Sequence, residues 1–170
     1  MTTTRGTRRL REGRTQVCVD AENLIGSPFF TETEAATLAL AVMDLICAER
    51  SQMQVTLATG HPVTAVALRF GFGLGRVSWR PGPDGADLEL IDVLMGEHIS
   101  ERFDSVVIAS GDGRFADVAT ALCAQGCHVI VIARRESLSR RLRLAASEVR
   151  YLGSSAVDRQ ALPAAPGLAA

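Results

Sequence analysis

Residues 105–115 read Ser-Val-Val-Ile-Ala-Ser-Gly-Asp-Gly-Arg-Phe. Ser105–Ala109 is apolar throughout, as expected of a central strand in a parallel sheet covered on both faces. It ends in the polar turn Ser110-Gly111-Asp112-Gly113, and Arg114–Ala124 follows with helical spacing. Strand, polar turn and helix together form the repeating unit of a parallel α/β sheet. Sites on such sheets lie outside the carboxyl ends of the strands.

The same unit recurs on either side. Gln16–Asp20 is a short apolar run closed by an acid. Thr31 with Glu34 fits a capping box, and a helix is expected from there to about Arg50. Met53–Thr59 reads as a second strand, Pro62 as a first helical residue, and Val63–Phe70 as a short helix. Gly75–Arg80 is a third strand, and Pro81-Gly82-Pro83-Asp84-Gly85 a turn. Asp87–Ile99 is helical, His128–Ile132 a fifth strand, Leu138–Ala145 a helix and Glu148–Leu152 a sixth, edge strand. This strict alternation predicts an α/β fold with a central, mainly parallel sheet of five or six strands and helices on both faces. The domain is expected over residues 16–152, between a flexible basic arm at 1–15 and a disordered tail at 153–170 rich in Gly, Ser, Ala and Pro.

Composition narrows the class. With 170 residues, 47% hydrophobic and 22% charged, the chain is one folded domain. Its longest apolar stretches fall far short of the roughly 18 residues a membrane span needs. The Arg-rich start has no apolar segment behind it and does not read as a secretory signal. Cys18, Cys47, Cys123 and Cys127 form no C-x-x-C pair, and Cys47 and Cys123 fall on expected helices; all four read as small hydrophobes of a reducing, cytoplasmic protein. His61, His98 and His128 are scattered, so triad chemistry is not indicated. No P-loop is present, and no G-x-G-x-x-G follows the first strand. Gly71-Phe72-Gly73-Leu74-Gly75 precedes a strand and reads as a turn.

The net charge of −1 hides an uneven distribution. Residues 1–14 carry +4, residues 15–133 carry −9 and residues 134–170 carry +4, and every basic residue is Arg. The middle is where the strand-end acids lie. If the first and fourth strands are neighbours, Asp20 and Asp112 share one edge, and Asp87 heads the helix leading back to it. Two charges about 4 Å apart repel by about 4 kcal/mol at an effective dielectric of 20. A hard divalent cation, Mg²⁺ or Mn²⁺, relieves that conflict and supplies a water nucleophile. Each acid also has a plain structural use: Asp20 as a cap, Asp87 at a helix N-terminus, Asp112 in a turn.

Three stretches in order carry a resemblance. Val17-Cys18-Val19-Asp20-Ala21-Glu22-Asn23-Leu24 resembles the opening D-x-x-N motif of NYN domains, the PIN-like ribonuclease group that includes LabA-type proteins. Gly85-Ala86-Asp87-Leu88-Glu89-Leu90 is similar to their middle motif, and Val106–Phe115 to their S-G-D-x-D-F motif. The resemblance implies a PIN-like three-layer fold and a metal-dependent ribonuclease. In it Asp20, Asp87 and Asp112 are catalytic and hold Mg²⁺ or Mn²⁺, Asn23 holds the first loop or a ligand, and Ser110 positions Asp112. The sequence departs from the pattern at Arg114, where the motif has its second Asp. Three readings follow: Arg114 grips a substrate phosphate or replaces a second ion, Asp117 one turn on supplies the missing acid, or the site has become a non-catalytic RNA-binding or regulatory module. RNA is the expected partner, gripped by Arg114, Arg134, Arg135, Arg140 and Arg141, with solvation as the plain alternative for those surface arginines. No membrane is expected. A homodimer and an inhibitory protein partner stay open. Asp92, five residues after Asp87, is a weaker candidate with packing or solvation as its plain reading, and Glu22 and Glu89 read as solvated, with a supporting role beside the motifs as the alternative.

Overall fold

The computed structural model describes residues 13–46, 48 and 52–153. Most of the expected basic arm, the tail from residue 154 and Cys47 lie outside the described residues.

Among the described residues six strands alternate with helices: β1 (Thr15–Asp20), β2 (Met53–Thr59), β3 (Arg76–Trp79), β4 (Ser105–Ala109), β5 (His128–Ala133) and β6 (Glu148–Tyr151). All pair in parallel, in the order β3-β2-β1-β4-β5-β6. β1 is central, with Val17 facing Val55 on one side and Val107 on the other. The chain winds outward from β1 through β2 to β3, returns to β4 and winds the other way. The order therefore reverses between β1 and β4, the switch point where open α/β sheets hold ligands.

The helices are α1 (Ala21–Ile25), α2 (Glu32–Asp44), α3 (Pro62–Phe72), α4 (Gly85–Gly96), α5 (Ile99–Arg102), α6 (Ala116–Ala124) and α7 (Arg140–Ala145). They cover both faces, and strand alternation sorts the core into two. Val17, Val19, Leu57, Val107 and Ile132 pack with Leu38 and Val42 of α2 and Leu68 of α3. Cys18, Ile108, Val129 and Val131 pack with Leu90 of α4, Leu122 of α6 and Leu142 of α7. Burial pushes the Cys18 thiol up to about 12, so it behaves as a neutral core group.

The differences from expectation are local. Among the described residues the sheet has six strands, all parallel. The capping box at Thr31 is present, with Thr31 Oγ1 accepting the Glu34 N–H at 3.2 Å, but α2 stops at Asp44. The expected helix over 87–99 divides at His98, a non-glycine residue with φ 52°, into α4 and α5. The glycine stretch is a turn only in its second half. Gly71 lies inside α3, where a Cβ would stand 2.6 Å from the Ala35 Cβ, so a bare backbone is what lets α3 approach α2.

Candidate active site

Asp20 closes β1 and caps α1. Its Oδ1 accepts the Asn23 N–H at 3.2 Å, satisfying a backbone donor that a five-residue helix cannot satisfy itself. Its Oδ2 accepts the Ser110 hydroxyl at 3.0 Å, across the switch point. Ser110 Oγ in turn accepts the Asp112 N–H at 3.1 Å, and the Asn23 side-chain oxygen accepts the Gly111 N–H at 2.8 Å. The D-x-x-N and S-G-D segments are thus cross-linked by three side chains. Ser110 reaches Asp112 through its backbone, and touches the Asp20 carboxylate as well. Gly111 is required on the other side of its loop, where a Cβ would meet the Ser137 carbonyl oxygen at 2.5 Å.

Asp87, third residue of α4, is buried and brings its carboxyl group within hydrogen-bonding reach of Asp20. Both titrate high. Burial is the main cause for Asp20, and for Asp87 burial followed by the charge of Asp20 lifts the group to about 8. Two buried carboxyls side by side each disfavour the other's ionisation, so a counter-charge is what lets both ionise together. Asp112 adds its field to Asp87 from the neighbouring loop. Its own Oδ1 accepts the Arg114 N–H at 2.9 Å, capping the 3-10 turn Gly113–Phe115.

Arg114 does not extend into solvent alone. Its guanidinium pairs with Asp84, in the turn before α4, and lies in the field of Asp112 and Asp87. Asp117 is exposed and engaged elsewhere, in an ion pair of 2.9 Å with Arg141. Of the acids singled out by sequence, the structure brings Asp20, Asp87 and Asp112 together and leaves Asp117 outside. Arg134 reaches toward the Ile25 carbonyl at 3.5 Å, Arg135 lies 4.3 Å from the centre of the Tyr151 ring, and Arg140 and Arg143 are exposed on α7. Ser139 N–H donates to the Gly111 carbonyl at 2.9 Å, so the loop that begins at Arg134 packs beside the acids.

Glu22, read as solvated, is engaged beside the site. Glu22 Oε1 accepts the Thr59 hydroxyl at 2.6 Å and the Gly60 N–H at 2.5 Å, tying α1 to the end of β2 beside Asp20. Asp92 is exposed on α4, in a surface ion pair of 2.8 Å with Arg80, in keeping with its solvated reading, and Glu89 is half-buried there. Only the position of Glu22 inside the D-x-x-N stretch signals its place.

The donor set fits a divalent cation in one specific way. Among the described residues, no three His, Cys, Asp or Glu side chains make a ready metal cage. Mg²⁺ rarely uses one: it keeps several waters and takes one or two carboxylates together with substrate phosphate. The Asp20–Asp87 pair, all hard oxygen and held together at an electrostatic cost, is such a partial set, with Asp112 near enough to influence it.

The family model described as NYN domain matches residues 14–153. No curated protein matches the chain. Among solved structures, a protein of unknown function from Vibrio parahaemolyticus RIMD 2210633 is similar with a TM-score of 0.57 at 16% identity, over 81% of this chain and 91% of that one. A levoglucosan dehydrogenase in complex with NADH gives a TM-score of 0.42 at 14% identity, over 80% of this chain and 34% of that one.

Proposed function

This chain belongs to the NYN domain family, a PIN-like nuclease family, and on that premise we propose that it is a metal-dependent ribonuclease that hydrolyses RNA phosphodiester bonds at the Asp20–Asp87 pair. The observation that carries the reading is the pair itself. Two buried carboxyls set side by side at the switch point, one pushed up to about 8, are costly to ionise together unless a cation neutralises them.

Asp20 and Asp87 would hold Mg²⁺ or Mn²⁺, with Asp112 bound directly or through water. Such an ion, when bound, lowers the pKa of its water and neutralises charge on the phosphate under attack. The chain's own residues do the rest. Ser110 donates to Asp20 Oδ2 and so helps to hold the orientation of that carboxylate. Asn23 and the Gly111 N–H lock the two strand ends at one separation, so the carboxylates do not need to be gathered at each turnover. Glu22 fixes the wall formed by the end of β2. The exposed Arg134 and Arg140 near the β4 loop, with Arg114 at its rim, supply positive charge for an RNA backbone. With 5% aromatic residues the surface favours backbone contact over base stacking.

A second reading, a non-catalytic RNA-binding or regulatory module, is favoured by one observation. Arg114 stands where the motif has an acid, and its charge lies in the field of Asp87. The test is cleavage of an unstructured RNA with Mn²⁺ or Mg²⁺, with Asp20→Asn and Asp112→Asn as controls. Cleavage by the wild type alone supports the nuclease. RNA binding without cleavage supports the module.

A further inference from the structure

Asp84 is placed to cap α4 and does not. It occupies the N-cap position in the left-handed region, φ 59°, and its side chain makes no capping hydrogen bond to the helix. The carboxylate pairs instead with the Arg114 guanidinium, thirty residues on in sequence. An Asp at a helix start ordinarily accepts a backbone N–H there. Here that bond is forgone and the residue adopts an uncommon backbone conformation. Arg114 is in turn anchored at its backbone by Asp112 Oδ1. The pair therefore bridges the two loops that flank the Asp20–Asp87 carboxyls. Both side chains are close to half exposed, 47% and 41%, so the bridge is wet and exchangeable.

We propose that Arg114 is the phosphate-gripping residue of this centre and that Asp84 holds it in reserve, handing it to an RNA phosphate when one enters. This deepens the proposed function by naming how its substrate is held. A guanidinium accepts carboxylate and phosphate with the same fork geometry, so one replaces the other without reorienting the arginine. While parked on Asp84, the charge of Arg114 is partly cancelled, which keeps it from occupying the carboxyl pair itself. Once Arg114 moves to phosphate, the positive charge arrives with the substrate. Arg114 thus replaces the missing acid of the motif with a charge that RNA recruits.

The test is a double-mutant cycle on binding of a short fluorescein-labelled single-stranded RNA in EDTA, where no cleavage occurs. Arg114→Ala is expected to weaken binding about tenfold and lower the log–log salt slope by about 0.7, one phosphate contact. Asp84→Asn, which suits a positive φ, is expected to tighten binding about threefold, the scale of a half-exposed ion pair. In the Arg114→Ala background, Asp84→Asn is expected to change nothing. Equal tightening in both backgrounds would mean that Asp84 acts only by its charge, and would overturn the proposal. So would wild-type affinity in Arg114→Ala. Because the readout is metal-free binding, these outcomes stand apart from whether the protein cleaves RNA.

Discussion

Two neighbouring strands end in the same grammar and arrive at different chemistry. β1 ends in Asp20 and β4 in Ser110-Gly111-Asp112, and each Asp caps the short helical turn that follows. At the end of β1 the carboxylate is 2% exposed, bonded on both oxygens and pressed against a second buried acid. At the end of β4 the carboxylate is half-buried, and the next residue but one is an arginine paired with Asp84 in the turn before α4. The first end stores electrostatic cost in a fixed geometry. The second carries an exchangeable charge. Burial makes the difference: in the low-dielectric interior desolvation and a neighbouring acid together raise carboxyl pKa values strongly, while at the solvated rim an ion pair is exchanged for little.

The contrast can be broken experimentally at several points. The largest expected effect is on metal-dependent stability. At Mn²⁺ about 100 times its dissociation constant, the wild type should gain about 2.7 kcal/mol, seen as a rise in melting temperature. Asp87→Asn should lose that gain while folding normally, because it removes a like-charge contact. Ser110→Ala comes next. It leaves Asp20 Oδ2 and the Asp112 N–H short of a partner inside the fold, at a cost of about 1–3 kcal/mol in urea unfolding.

The pH dependence of the metal-free protein sharpens the same point. The folded-state pKa of Asp87, about 8, lies above the ordinary carboxylate value near 4. The folded chain therefore keeps a proton that the unfolded chain has released. This contribution to stability is full below about pH 4 and is lost as pH rises through about 8. Melting temperatures of the metal-free wild type should fall over that window, and Asp87→Asn should remove this part of the slope. The smallest effect is at Asp117. Its exposed pair with Arg141 is worth about 0–1 kcal/mol, and Asp117→Ala should leave Mn²⁺ binding unchanged. Weakened Mn²⁺ binding in that variant would make Asp117 the missing acid after all.

The parallel core was legible in sequence because strands buried on both faces must be apolar at every position, as in Val106–Ala109 and Val129–Ile132. α1 was not legible. Its five residues hold no periodicity, and its start is fixed by Asp20 acting as a cap. The break between α4 and α5 depends on one residue in the left-handed region at His98, which composition does not signal. At the site, Asp20, Asp87 and Asp112 stand out through their places at strand ends and a helix head. The bonds of Glu22 to Thr59 and Gly60 and the pairing of Asp84 with Arg114 join segments about 30–40 residues apart, and only the packed sheet brings them together. Asp84 in particular reads as a turn residue in Pro-Gly-Pro-Asp-Gly, and its carboxylate's direction depends on the position of the β4 loop.

On the proposed function, the carboxyl pair at the switch point uses a divalent cation on RNA. The most direct test is cleavage of an unstructured RNA by the wild type and Asp87→Asn side by side, with Mn²⁺ or Mg²⁺ added and then removed by EDTA. Cleavage is expected to need the metal, to stop with EDTA and to fall by about a hundredfold or more in Asp87→Asn. Equal cleavage by both proteins, or none by the wild type while it still binds RNA, would contradict the proposed function.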